Sequence, residues 1–188
     1  MTPINLMAAL VHRVRNATKD YKFRASDGEG FRAPKVWAQH LPEKLYDDTV
    51  DPADYPFVQI VLGGGLVVGL EDGDSTVNAA IMVGGYDDGQ PADPEEPSVR
   101  DQQGWLIPAE IMWRIISDLE THPIVGGKYQ LQHPLTWELP AEQPAPLWYG
   151  LISASFSVPV PRQAFGFEYW TQDPTVPPDG PHTEEVKT

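Results

Sequence analysis

The sequence contains no cysteine among its 188 residues. Without cysteine there can be no disulfide framework, no thiolate metal site and no cysteine nucleophile, which fits a reducing compartment. No apolar run approaches the ~18 residues that a membrane-spanning helix needs. His12, Arg13 and Arg15 interrupt the stretch in which a secretory signal would be apolar. We therefore expect a protein that is made in the cytoplasm and has no membrane segment.

Positive charge is scarce and lies mostly at one end of the chain. There are 13 Lys and Arg against 27 Asp and Glu, a net charge of -14. Residues 1–44 carry +4 and the other 144 residues carry -18. Such a chain should not bind nucleic acid by general attraction to phosphates. The asymmetry suits head-to-tail contacts between identical copies, with Arg24, Arg32 and Lys35 at the contact, although ordinary solubilising charge is the alternative.

Residue patterns that support catalysis or metal binding are also sparse. The five histidines show no paired spacing on one helix or strand, so a zinc site has little support. The glycines match neither nucleotide-binding pattern, and no serine has the setting of a nucleophile elbow. We predict no catalytic residue, no cofactor and no metal ion. The alternative, an enzyme with an acidic metal site, would require four carboxylates to converge: Asp72, Asp74, Asp87 and Asp88.

Two segments have the periodicity of amphipathic helices. In Leu106–Thr121 apolar residues recur at i, i+3, i+4 and i+7, and His122-Pro123 ends the pattern. The other helix starts at Pro3, with Thr2 as its cap, and runs to about Ala17. Trp113 projects about 130° from the centre of the apolar stripe. We therefore expect Trp113 at the edge of the core or in a contact with another chain.

Four segments have the alternation or the β-branched composition of strands. They are residues 55–62, 76–86, 129–137 and 148–160. Pro134 indicates an edge position or a bulge in the third strand. The order is therefore α-β-β-α-β-β. We predict an α+β fold in which a mainly antiparallel sheet has two helices on one face, with extended loops and a C-terminal arm.

The domain boundaries follow from where periodicity fails. We expect one domain over residues 1–162, with a long irregular insertion at residues 20–54. This insertion is either a functional extension that a partner orders or a set of short elements without a visible period. Residues 87–100 are acidic and proline-rich, which is typical of a loop or a disordered linker. Residues 163–188 are the C-terminal arm and tail, too polar and proline-rich over their last part to form a core.

The arm begins with an aromatic run, QAFGFEYW. Phe165, Phe167 and Tyr169 alternate, and Trp170 follows them. A monomer would not leave this much apolar surface in water. We expect the run to bind a sheet edge or a pocket of a neighbouring molecule, although folding back on its own domain is the alternative.

Taken in order, these segments resemble one known family. The features are a leading amphipathic helix, a Tyr-Pro-Phe strand entry, the strand TVNAAIMVGGYDDG, an acidic linker, the second helix and the ending APLWYGLISASFSVPVPR. Together they resemble the tail terminator, or tail completion, proteins of long-tailed, siphophage-type bacteriophages. The resemblance covers roughly residues 1–162. Residues 20–54 and the tail after Arg162 depart from it.

The resemblance implies a structural virion protein of the tail or neck, assembled in the host cytoplasm. Proteins of that family form a hexameric ring that caps the tail tube, stops its polymerisation and offers a surface to head-completion or connector proteins. DNA passes through the lumen without specific binding. The family has no catalytic residues to transfer. Another ring or tube component of the neck or tail is the alternative.

An acidic stretch gives such a ring a candidate lumen or rim segment. Residues 71–101 hold nine Asp and Glu against a single Arg. Carboxylates on a channel wall would repel passing phosphates. We expect four of them there: Asp87, Asp88, Glu95 and Glu96. A solvated loop on the outside of the ring is the alternative.

Overall fold

The computed structural model describes much of the chain between residues 3 and 158. The described ranges are 3–20, 23–24, 31–42, 45, 51–66, 75–89, 91–93, 96–100, 103–143 and 145–158. They contain two α-helices, α1 (Pro3–Thr18) and α2 (Leu106–Thr121), and a short 3₁₀ helix at Pro52–Asp54. They also contain ten strands: β1 (Phe23–Arg24), β2 (Phe31–Arg32), β3 (Lys35–Ala38), β4 (Phe57–Leu66), β5 (Ser75–Tyr86), β6 (Pro91–Asp93), β7 (Glu96–Arg100), β8 (Ile124–Val125), β9 (Tyr129–Glu138) and β10 (Leu147–Val158).

Six of these strands form the main sheet, in the spatial order β3-β4-β5-β10-β9-β8. β3 and β4 are parallel, and the other neighbouring pairs are antiparallel. β5 and β10 form the centre and pair along their whole lengths, from Tyr86 opposite Leu147 to Ser75 opposite Val158. An α+β fold with two helices and a mainly antiparallel sheet is therefore confirmed for the described residues.

The structure contains short elements that the sequence did not indicate. α2 has the bounds that its periodicity predicts, and the four predicted strands correspond to β4, β5, β9 and β10. Residues 20–54, expected to be irregular, contain β1, β2 and β3, and β3 joins the sheet beside β4. Residues 87–100, expected to be loop or disordered, contain the paired strands β6 and β7. The short elements within residues 20–54 agree with one of the two alternatives for that stretch. The expectation for residues 87–100 was wrong, because strands this short have too few residues to show a period.

β9 is irregular along both of its edges. The register of its pairing with β10 shifts around Pro134, which agrees with the edge position or bulge expected there. On the other side β8 pairs with Tyr129 and Gln130. From Gln132 to Glu138 the outer edge of β9 has no partner strand within the described residues.

One stripe of each helix and alternate residues of the central strands form one hydrophobic core. α1 contributes Leu6, Leu10 and Val14, each no more than 1% exposed. Other fully buried members are Ile81, Val83, Ile111, Ile115, Leu119, Ile152 and Phe156. Burying one such side chain stabilises the fold by about 1.5 to 3 kcal/mol.

Arg13 of α1 joins the two helices at the end of α2. Its Nε forms an ion pair with the Asp118 carboxylate. Its Nη2 donates to the carbonyl oxygens of Asp118, at 3.2 Å, and His122, at 3.3 Å. The carbonyl groups at the end of a helix carry partial negative charge, so a cation there is stabilising.

Candidate subunit or partner interface

Three tryptophans with exposed rings surround a groove beside α2. Trp105, Trp113 and Trp137 are 44%, 62% and 55% exposed. The groove has a volume of about 450 Å³ and a mainly apolar lining. Its other lining residues are Ala109, Glu110, Met112, Arg114, Ile116 and Leu139. We call these nine residues the tryptophan groove. Contiguous apolar surface of this kind commonly marks a binding site, so the groove is the candidate interface.

The floor of the tryptophan groove depends on Gly150 in β10. A Cβ at this position would lie 2.6 Å from Sδ of Met112 and 3.2 Å from Cδ2 of Leu139. Because glycine leaves that space open, both side chains approach the backbone of the strand. They form an apolar floor between α2 and the end of β9.

The start of α2, where Trp105 lies, is held by a backbone hydrogen bond and by contacts of the Trp148 indole. Its carbonyl oxygen accepts a hydrogen bond from the amide of Ala109, at 3.2 Å. A Cβ on Gly104, just before it, would lie 2.2 Å from Nε1 of Trp148. Nε1 of Trp148 in turn donates to the carbonyl oxygen of Asp87, at 3.1 Å. These contacts connect the end of β5 with the start of α2, and they hold Trp105 at one end of the groove.

A second cleft continues the tryptophan groove. It has a volume of about 260 Å³ and is lined by Trp105, Leu139, Pro140, Ala141, Gln143 and Trp148. Trp105 and Leu139 line both spaces, so the two form one extended surface.

Trp137 borders the opposite side of the groove. It lies in β9 opposite Ile152 of β10. Residues directly opposite each other in an antiparallel pair project to the same face, and Ile152 is fully buried in the core. Trp137 therefore projects to the side of the core, yet it remains exposed because it lies on an outer strand, one strand beyond β10.

The basic residues expected at a subunit contact have intrachain partners where their side chains are described. Arg32 donates from Nη1 to the carbonyl oxygen of Ala53, at 2.8 Å. Nζ of Lys35 donates to the same oxygen, at 2.8 Å, and to Oδ1 of the buried Asp54, at 2.9 Å. Arg24 lies in β1, and its side chain is outside the described part. A subunit contact by these residues stays a prediction.

The acidic residues expected at a lumen are only partly described. Asp87 is half-buried, and its Oδ1 accepts a hydrogen bond from the amide of Gly89, at 2.9 Å. Asp88 is exposed. Glu96 lies in β7 without a described side chain, and Glu95 is outside the described residues. Their position on a channel wall stays a prediction.

Several other candidate residues lie outside the described part of the chain. Asp72 and Asp74, which the metal-site alternative requires, are among them, as are all four arm residues: Phe165, Phe167, Tyr169 and Trp170. Where side chains are described, no group of three or more His, Asp or Glu could hold a metal ion.

Tyr55 is a buried titratable group away from the groove. Its ring centroid lies 5.3 Å from that of Phe57 and 6.0 Å from that of Tyr86. Burial, with a smaller contribution from a hydrogen bond to Tyr149, raises the pKa of Tyr55 above its ordinary range. Tyr55 therefore stays a neutral phenol at physiological pH and belongs to the packing of the fold.

Sequence reasoning identified Trp113 but missed Trp105 and Trp137. The angle of Trp113 from the apolar stripe was sufficient, because it is a property of one helix. The exposure of Trp105 and Trp137 depends instead on where the start of α2 and the outer strand β9 lie in the tertiary structure, which neither local sequence contains.

Neither helix of the described chain has the length and hydrophobicity to cross a lipid bilayer. No protein-family model matches this chain, and no curated protein matches it significantly. The functional interpretation therefore depends on the geometry of the tryptophan groove and on the distribution of charge.

Proposed function

We propose that this chain is a tail terminator, a structural virion protein whose copies form a closed ring. The ring caps the tail tube, stops its polymerisation and presents a surface for head-tail joining. The observation that carries the proposal is the exposed tryptophan groove on an otherwise strongly acidic chain. Covering apolar surface removes its unfavourable contact with water, so an assembled state is the expected one.

A heterologous contact between identical copies suits both the exposed tryptophan groove and the uneven charge of the chain. In such a contact one surface of each copy meets a different surface of the next, and the copies form a ring when the rotation closes. The groove supplies one surface, and the division between the basic residues 1–44 and the acidic remainder favours a consistent orientation. The resemblance implies six copies.

We further infer that both helices cover one face of the sheet, with the longer elements in the order α-β-β-α-β-β. The shared core supports this arrangement, because α1 and α2 both contribute buried side chains to it. We assign the loop after β5 to the channel side of the ring. Carboxylates there, beginning with the exposed Asp88, would keep DNA phosphates from binding to the wall.

Electron microscopy of the purified chain, alone and with the tail tube protein of the same phage, tests this function. We expect closed rings from the chain alone, and tubes that end in one ring and stop growing when both proteins are present. Long tubes formed by this chain alone would support the alternative, a tube component. Stoichiometric heat on calorimetric titration with Mg²⁺ or Mn²⁺ would instead favour an enzyme with an acidic metal site.

A further inference from the structure

We propose that the tryptophan groove binds residues 163–170, QAFGFEYW, of a neighbouring copy. This inference deepens the proposed ring and rests on its self-association. β10 ends at Val158, and residues 159–188 follow it. The chain therefore carries its own aromatic segment a short distance beyond the sheet that borders the groove.

The segment and the groove have complementary chemistry. If the segment is extended, Phe165, Phe167 and Tyr169 project to one side. Aromatic rings stabilise each other in offset or edge-to-face arrangements, with centroids about 4.5 to 7 Å apart. The groove volume of about 450 Å³ lies within the range of about 300 to 1,000 Å³ that is usual for sites that bury a small ligand. The groove can therefore take aromatic side chains without opening the core.

The groove also offers backbone partners. Trp137 belongs to the stretch from Gln132 to Glu138, whose outer edge has no partner strand within the described residues. An extended segment in the groove can add to this edge by strand pairing. Pro134 has no N–H to donate, so pairing is expected on the Trp137 side of it.

Chain direction favours a neighbour over the segment's own groove, because β10 ends at Val158, on the far side from Trp137. Trp137 is level with a residue six positions before Val158 in β10, which is about 20 Å at about 3.3 Å per residue. Phe165, seven residues beyond Val158, spans at most about 25 Å. Pro159 and Pro161 favour an extended chain and restrict the residues before them. To reach the groove of its own molecule, the chain would have to reverse direction at these prolines and then run nearly straight back to Trp137.

A mixing experiment with three full-length variants tests this contact. The arm variant, Phe165→Ser combined with Phe167→Ser, removes two aromatic rings from the segment. The groove variant, Trp113→Glu, places a charge in the groove. Ser117→Glu is the control, because it adds the same charge at an exposed site one turn along α2. The arm variant and the groove variant alone should each lose at least tenfold in association constant, whereas the control should keep it. An equimolar mixture of the arm and groove variants should form a one-to-one heterodimer and nothing larger. Only the arm of the groove variant can enter the groove of the arm variant. Sedimentation velocity measures all four samples.

Two results would overturn the inference. Binding within one molecule would leave the mixture monomeric and lower the thermal unfolding temperature of both variants. If the groove binds a different protein, both variants should have the association constant of the wild type.

A peptide separates this contact from the proposed ring. The synthetic peptide QAFGFEYW should bind the full-length arm variant, and at least tenfold more weakly the same variant with Trp113→Glu added. If the peptide binds but the wild-type chain forms no ring, the contact between the segment and the groove is supported and the proposed ring is rejected. A wild-type ring that Trp113→Glu leaves intact would keep the ring and reject the contact.

Discussion

Two glycines determine the shape of the tryptophan groove. Gly104 and Gly150 stand where a Cβ would collide with Trp148 and with Met112, respectively. A side chain at position 104 would displace the rigid Trp148 indole, which lies between the start of α2 and β10. A side chain at position 150 would displace the flexible end of Met112 on the floor of the groove. The groove therefore depends on residues that line none of its surface.

Gly104→Ala should lower the free energy of unfolding by about 1 to 3 kcal/mol, the usual cost of forcing an extra group into a packed site. The Trp148 indole would have to move and would lose its hydrogen bond to the carbonyl oxygen of Asp87. Gly64→Ala is the matched control, since nothing lies within 4 Å of the position of its Cβ. Urea denaturation compares the two variants. If they were equally stable, the contact between Gly104 and Trp148 would be wrong.

Lys35→Met should lower the free energy of unfolding by about 1 to 2 kcal/mol, less than for a fully buried pair because Lys35 is partly exposed. The buried Asp54 carboxylate loses one of its partners, and the carbonyl oxygen of Ala53 loses a charged donor. Lys128→Met, at an exposed site, should stay within about 0.5 kcal/mol of the wild type. Equal free energies of unfolding for the two variants would mean that Lys35 does not stabilise the domain, and would favour a role for it in a subunit contact. A charge reversal at Lys35 thus tests domain stability as well as assembly.

Between elements, Arg13 of α1 makes a polar contact with the end of α2. A double-mutant cycle of Arg13→Gln and Asp118→Asn should give a coupling energy of about 0.5 to 1 kcal/mol, because both groups are about a quarter exposed and solvent screens their attraction. The coupling should decrease in 1 M NaCl. Thermal or urea unfolding of the four chains measures it. A coupling near zero at low salt would mean that Arg13 acts only through the backbone carbonyl groups of α2.

The longer elements were predictable from the sequence because their periodicity is local. α2 spans Leu106–Thr121 as its apolar spacing predicts, and β5 begins one residue before its predicted start. β3 was not predictable, because its four residues pair in parallel with β4, and such pairing joins segments that are distant in the chain. The tryptophan groove was predictable only in part, for the same reason. The exposure of Trp113 follows from the periodicity of one helix, whereas the exposure of Trp137 follows from the place of β9 in the sheet.

For the whole molecule, self-association through the tryptophan groove should depend little on salt. The groove lining is mainly apolar, whereas contacts through basic residues are screened as the Debye length falls from about 10 Å at 0.1 M to about 3 Å at 1 M salt. Sedimentation at these two NaCl concentrations should give association constants within about threefold of each other, because apolar burial is not screened. A loss of tenfold or more in 1 M NaCl would assign the contact to the basic residues 1–44 instead.

The mass of the native assembly tests most directly whether this chain closes into a ring through the tryptophan groove. Native mass spectrometry of the wild type should show one dominant species of about 125 kDa, six times the 20.9 kDa of the chain. Trp113→Glu should shift that species to monomer, whereas Ser117→Glu should not. A wild type that is monomeric at all concentrations, or an open-ended series of sizes without a dominant species, would contradict the closed ring.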